Sequence, residues 1–500
     1  MADVLLSIYG GVCGIPLVVM ILGVGVWLAC KVGFPQVRLF PAAVKAFAAA
    51  LRNPENGQGT SSYRAFCTAL GATVGTGNIV GVAGAICLGG PGAVFWMWVC
   101  GFFAMGTKYA EAALAVRYRK TEGAETVGGP MYMITEGLGN RWRYLAAAYS
   151  VFGLIASLGV GNAAQVNAML SGINHAMRSF GKISSVRTDL GIGLILTVLT
   201  GGILLGGARR IGAAAEVLVP VASCFYLVIS MAVLAVRYER IVPAFAAILS
   251  GAFSPAAVTG GVLGSVFQAL RVGCSRGVFT NEAGMGTAAM AHGSARVHHP
   301  AEQGLMGILE VFLDTIVICT VTALVILVSG ISVPYGQDAG GTLTASAFAL
   351  VLGNWTGVAL AAAICCFAFT AILGWGLYGR CCACFLFGSR GAQLFALFQT
   401  AAVMLGIILN TETVWLLSEL FNGLMAIPNL IVLSVLAPEL GRLTNEYIKK
   451  EGGIAAEGGN HADFHQCKPL RALSHAKVPS LRGGGGSAGK EDLSSEYRSA

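Results

Sequence analysis

The chain has 500 residues, 55% of them hydrophobic and 11% charged, with a mean hydropathy of +0.72. Soluble domains carry about 25% charged residues, so this composition excludes a soluble globular protein and requires a polytopic membrane protein in a lipid bilayer. The formal charge of +8 is dispersed over the connections between apolar runs, which excludes a nucleic-acid surface.

Apolar runs long enough to span fall near 13–31, 64–88, 93–116, 143–169, 190–208, 213–236, 255–275, 304–330, 347–378, 392–410 and 414–437, which predicts eleven transmembrane helices. The first run lacks a basic lead-in and an Ala-x-Ala exit, so it reads as a retained helix rather than a cleaved signal. Lys31, Arg38, Lys45, Arg52 and the later clusters around Arg117, Arg141, Arg209 and Arg380 fall on one side. Chiefly Arg178, Lys182, Arg187, Arg237 and Arg240 fall on the other. That bias predicts an external N-terminus and a cytoplasmic C-terminus.

The second run is the most informative. Eight of the 22 residues from Gly71 to Gly92 are glycine and none is charged. Such a helix tolerates hydrocarbon yet has a deformable backbone, and Thr76 and Asn78 beside Gly75 and Gly77 mark where it would unwind. Freed N–H groups there suit a carboxylate, and freed carbonyls near Gly71 to Gly75 suit an ammonium or a cation. Close helix packing through small residues is the competing reading. In the third run Lys108 and Glu111 stand three apart on one face, either as a mutually paired anchor at the membrane interface or as groups in the transport chemistry itself. The fourth run places Asn162, Gln165 and Asn167 on one sector, either lining a cavity or stitching helices together.

The seventh run, Gly260 to Gly273, is followed by a second glycine-interrupted stretch, Arg276-Gly-Val-Phe-Thr-Asn-Glu-Ala-Gly-Met-Gly286. Five helices separate the two interrupted spans, so ten helices divide into five plus five. An odd number per half inverts the second half, which predicts an all-α inverted-repeat transporter with its site at the midplane. Asp314 in the eighth run is a network member or an ion-coupling group, and Thr370 in the ninth completes a sodium cage or bonds its own backbone.

No catalytic set or Walker sequence occurs, and neither the 14 cysteines nor the histidines have metal-ligand spacing; His292, His298 and His299 read as one polar connection. Neither enzyme activity nor a cofactor is expected. Residues 1–440 form one transmembrane domain, and the polar stretch 441–500 reads as a disordered cytoplasmic tail.

The chain resembles the alanine or glycine:cation symporter family, also called sodium:alanine symporters. The resemblance rests on Val74-Gly-Thr-Gly-Asn-Ile-Val-Gly81, Gly89-Gly-Pro-Gly92, Thr107-Lys-Tyr-Ala-Glu-Ala112, Gly128-Gly-Pro-Met-Tyr132, the stretch from Arg276 to Gly286, Phe312-Leu-Asp-Thr-Ile316, Leu373-Gly-Trp375 and Asn422-Gly-Leu-Met-Ala-Ile-Pro-Asn429. It implies a LeuT-like fold of five plus five helices with one additional helix. It also implies uptake of alanine, glycine or a similar small amino acid across a bacterial inner membrane, driven by sodium or protons. Substrate-side positions are then Gly75, Thr76, Gly77, Asn78, Gln165 and Gly273, and cation-side positions are Gly71, Val74 and Thr370. Two positions depart from the family pattern: Ala371 stands where a second hydroxyl is usual, and Arg380 where an acid is usual.

Overall fold

A computed structural model describes residues 11, 14–52, 60–122, 125–179, 185–254, 259, 265–337, 340–408 and 411–456. The described chain is almost wholly helical. Helix α1 (Ile15–Val32) ends on Gly33 in the left-handed region, and α2 (Phe40–Arg52) is a short helix that the sequence does not separate as an element. Ser61 caps α3 (Ser62–Thr73) by accepting the Arg64 amide at 3.1 Å. The helix breaks where Val74 takes ψ 108°. It resumes as a π-turn (Gly77–Gly81) running into α4 (Val82–Gly89), bent 49° from α3. A turn at Gly90 and Pro91 then starts α5 (Gly92–Arg117).

A hairpin, β2 (Lys120–Glu122) with β3 (Glu125–Val127), leads to α6 (Arg143–Leu158), a π-turn (Gly159–Ala163) and α7 (Ala164–Ser179). There follow α8 (Val186–Leu204), α9 (Gly207–Val236), α10 (Ile241–Phe253) and α11 (Val266–Asn281). Residues 282–286 interrupt the chain, with positive φ at Glu282, Gly284 and Gly286, before α12 (Thr287–Gly293). Strand β4 (Ala295–Arg296) after α12 pairs with β1 (Thr60–Ser61) before α3. Then come α13 (Pro300–Val311), a π-helix (Phe312–Cys319), α14 (Thr320–Ser329) and α15 (Gly340–Leu352). Helix α16 (Thr356–Ile408) is divided at Gly388 (φ 72°, ψ −170°), and α17 (Thr411–Ala456) closes the described chain.

Both interrupted spans are therefore present, and they lie against each other arm to arm: α3 packs on α12 and α4 on α11. That crossed pairing is what inversion of the second half produces. Among the described residues seven helices are long and apolar enough to cross a bilayer, and the bent pair α3 and α4 adds an eighth. The sequence predicts eleven. Length and hydropathy pass fewer, because α5 is diluted by glycines, Thr107 and Lys108, α11 has only 16 described residues, and α16 counts once although it covers the tenth run and much of the ninth. The ninth predicted run is also split, since Gly353 (φ 92°) ends α15 and α16 starts at Thr356. Helix α17 runs past Gly441 to Ala456, where the sequence expects a disordered tail from 441; residues 457–500 lie outside the described residues.

Helix α5 is the fixed centre. It packs on α1, α10, α11, α12 and α13. Close approach is set by glycine: a Cβ on Gly307 would lie 2.7 Å from the Lys108 carbonyl, and one on Gly304 2.8 Å from the Tyr109 ring. Lys108 does not pair with Glu111. Its Nζ reaches across to Glu310 Oε1 at 2.9 Å, and Glu310 Oε2 meets His292 Nε2 at 2.8 Å. Gln303 Nε2 lies 2.7 Å from His292 Nδ1, and Ser62 donates to Gln303 Oε1 at 2.7 Å. The expected Lys108–Glu111 interface anchor is thus replaced by a buried chain across α5, α12, α13 and α3. His292 belongs to it as a fully buried residue of α12, not to a polar connection. Sequence spacing fails here because the partners come from distant helices.

Candidate functional site

Glu111 has a different task from Lys108. Its Oε1 accepts the amides of Gly284 and Gly286 at 2.9 and 3.0 Å and Asn429 Nδ2 at 2.7 Å. It thereby satisfies backbone donors that the second interruption exposes. At the first interruption a side chain does the same. In a continuous helix the Gly75 amide would close on the Gly71 carbonyl; here it donates to Asn78 Oδ1 at 2.9 Å. Asn78 Nδ2 donates in turn to Asp314 Oδ1 at 2.8 Å. Asn78 is fully buried, holds these bonds and is not part of the wall of the cavity between the two interruptions.

Between the two interruptions lies a cavity of ≈ 100 Å³, space for a few waters or one small solute. The first break contributes Gly75, Thr76 and Gly77 to its wall, and the second contributes Phe279, Thr280 and Glu282. Gln165 and Trp375 close it from α7 and α16, and Asn422 from α17. Gln165 Nε2 donates to the Val160 carbonyl at 3.1 Å, while its Oε1 has no partner and lies 4.0 Å from where a Gly75 Cβ would stand. Asn422 Oδ1 is also buried without a partner. Glu282 Oε2 accepts the Thr287 hydroxyl at 2.7 Å.

The packing reading fails for the glycines that face this space. A Cβ on Gly77 would meet nothing closer than Thr280 at 3.7 Å, and one on Gly75 nothing closer than 3.9 Å. It holds for Gly273, whose Cβ would strike the Ala93 carbonyl and, at 2.7 Å, Trp96. Gly273 is a contact of α11 with α5 and does not line the cavity. The interruption at 282–286 falls within the glycine-interrupted stretch Arg276 to Gly286. Of the amides in the fourth run, only Gln165 reaches the cavity: Asn162 donates to the Gln399 carbonyl at 2.9 Å and Asn167 to its own helix at 3.0 Å.

On the cation side, Gly71 and Thr370 are brought together. A Cβ on Gly71 would lie 3.2 Å from Thr370 Cβ, and the Gly71 carbonyl is the one relieved by the break. Thr370 Oγ1 donates to the Phe367 carbonyl at 2.9 Å, which leaves its lone pairs available. Val74, at the break itself, is fully buried. Beside Thr370, Ala371 is fully buried and offers no oxygen. Sequence reasoning missed Glu282 and Asn422 as wall residues. Glu282 had a signal, since an acid flanked by glycines in an apolar span must have a use; Asn422 had none beyond its polarity.

A second, smaller cavity of ≈ 20 Å³ lies further along α12 and α16, lined among others by Met290, Leu377, Cys381 and Arg380. Arg380 Nη1 donates to the Leu204 carbonyl at 3.3 Å and Nη2 lies 3.7 Å from Glu125 of the hairpin. The departure at this position therefore gives a half-wet ion pair between α16 and β3.

Two interrupted helices packed arm to arm around a cavity define a secondary transporter of LeuT-like fold. A solved structure, described as MhsT in complex with L-phenylalanine, matches this fold with a TM-score of 0.54 and 13% identity over 78% of this chain and 99% of that one. The family model described as the sodium:alanine symporter family matches residues 1–459, and the chain belongs to that family. A transporter of Haemophilus influenzae described as uncharacterized is 40% identical over 90% of this chain and 96% of its own. The sodium/alanine symporter AgcS of Methanococcus maripaludis is 38% identical over 84% and 91%. The protein is a multi-pass membrane transporter, not an enzyme.

Proposed function

We propose that this chain imports a small neutral amino acid, alanine or glycine, together with sodium, by alternating access at the cavity between the two helix breaks. The observation that carries the reading is the cavity itself. It holds ≈ 100 Å³, and its wall offers backbone of a half-helix start, the unpartnered Gln165 Oε1 and the carboxylate of Glu282. The amides near Thr76 and Gly77 suit the solute carboxylate, and Gln165 and Glu282 suit its ammonium. Gly71, Val74 and Thr370 supply oxygens for the cation. The lysine and arginine bias supports an external N-terminus and a cytoplasmic C-terminus, and the family resemblance supports a bacterial inner membrane as the setting.

Proteoliposomes carrying an inward sodium gradient are expected to concentrate labelled alanine above the external level. Equilibration without concentration would indicate a passive conduit, absence of flux a non-transporting scaffold, and accumulation that follows an imposed proton gradient instead would replace sodium with protons. Glycine and larger amino acids as competitors then measure the size limit.

The cation assignment gives a second expected result. Ala371→Thr restores a hydroxyl next to Thr370 and is expected to lower the sodium concentration for half-maximal uptake, whereas Thr370→Ala is expected to raise it, each by about tenfold, the size of one good polar contact. Unchanged sodium dependence in Thr370→Ala would remove this residue from the ion site.

A further inference from the structure

The two breaks are joined by a continuous series of hydrogen bonds that does not pass through the cavity. The Gly75 amide donates to Asn78 Oδ1 at 2.9 Å, and Asn78 Nδ2 donates to Asp314 Oδ1 at 2.8 Å and to the Asp314 carbonyl at 3.1 Å. Thr315 Oγ1 donates to Asp314 Oδ2 at 2.8 Å. Asn281 Nδ2 donates to Thr315 Oγ1 at 3.3 Å, and Asn281 Oδ1 accepts the Ala283 amide at 3.0 Å. One end is the backbone of the first break and the other is the backbone of the second. All four side chains are buried, and none lines the cavity. The middle of the series is carried by the π-helix Phe312–Cys319, which presents two consecutive side chains, Asp314 and Thr315, to different partners.

We propose that Asp314 and Thr315 are positioning residues that hold the two helix breaks in one mutual register, so that the site is complete only when both breaks are set. This rests on the reading of the cavity as the solute site. The physical ground is the low dielectric of the surroundings. Each bond polarises the next, and an unmade bond leaves a buried group unpaired, so the two breaks gain or lose order together. Linkage then makes the effect reciprocal: a ligand that orders one break raises the affinity of the other for its own ligand. It also gives Asp314 a use that requires no direct contact with solute.

Thr315→Val removes the central hydroxyl while keeping side-chain shape, and Thr315→Ser keeps the hydroxyl. Hydrogen–deuterium exchange of the protein in nanodiscs, without solute, reads the link directly. In Thr315→Val, exchange over residues 74–78 and 282–286 is expected to rise together, by roughly tenfold, and in Thr315→Ser to stay near that of the unsubstituted protein. In vesicles, the half-saturating concentrations of alanine and sodium are expected to rise together in Thr315→Val, with recovery in Thr315→Ser. A rise confined to 282–286, a rise in neither segment, or equal behaviour of the two variants would overturn the proposal. Because exchange is read without transport, an unsubstituted protein that failed to accumulate alanine would refute the transport reading alone and leave the link to be decided by exchange.

Discussion

Valine at Gly75 or Gly77 is expected to abolish alanine accumulation while leaving the amount of folded protein in the membrane unchanged. Neither glycine has positive φ, so an L side chain meets no backbone penalty there. A Cβ at either position touches nothing closer than 3.7 Å, so the fold has room for it. The room it takes is the solute's, since both residues wall a cavity of ≈ 100 Å³. Gly75→Ala and Gly77→Ala, with one carbon each, are expected to raise the half-saturating alanine concentration by about tenfold or more, a steric cost on the order of 1–3 kcal/mol. Gly92→Ala is the opposing control. Its Cβ would run into the backbone of Gly251 and Ala252, so it is expected to lower the yield of folded protein. Normal uptake by both valine variants would return Gly75 and Gly77 to a purely backbone role.

The second large effect concerns stability. Glu310→Ala would remove the carboxylate that binds the buried Lys108 ammonium at 2.9 Å and His292 at 2.8 Å. Lys108 is fully buried. Breaking such a pair from one side costs about 3–5 kcal/mol, enough to remove much of the folded population. The double variant Lys108→Met with Glu310→Leu removes both charges and is expected to melt well above the single variant, which is the signature of coupling between contacting residues. Thermal unfolding in detergent of the two single variants and the double variant measures this. Equal melting of Glu310→Ala and the unsubstituted protein would mean that water or another group compensates Lys108.

Much of the architecture is legible in the sequence because membrane helices announce themselves by length and apolarity, and interrupted ones by glycine. The stretch around Gly75 and Gly77 gives the position of the first break to within a few residues. The site is legible where backbone makes it, and less so where side chains do. Asn78 is the polar residue at the first break, and its side chain satisfies the Gly75 amide that the break frees. Gly273 makes close contact with Ala93 and Trp96, and the second interruption falls at 282–286, inside the glycine-rich stretch that the sequence marks. Lys108 and Glu111 are neighbours on a helix face, but their partners, Glu310 and Asn429, are about 200 and 318 residues away in the chain. Pairings across that separation carry no local signal.

The two kinds of ion pair in this chain divide it mechanically. Lys108 and Glu310 lie out of water, where separation of the charges is costly, so the pair ties α5 to α13. Arg380 and Glu125 are a longer pair, 3.7 Å, with half of the Glu125 side chain in solvent; such a contact contributes at most about 1 kcal/mol and weakens as salt is added. Hydration thus grades the two fastenings: the dry pair holds helix to helix, and the half-exposed pair adds little to the packing of the hairpin against α16.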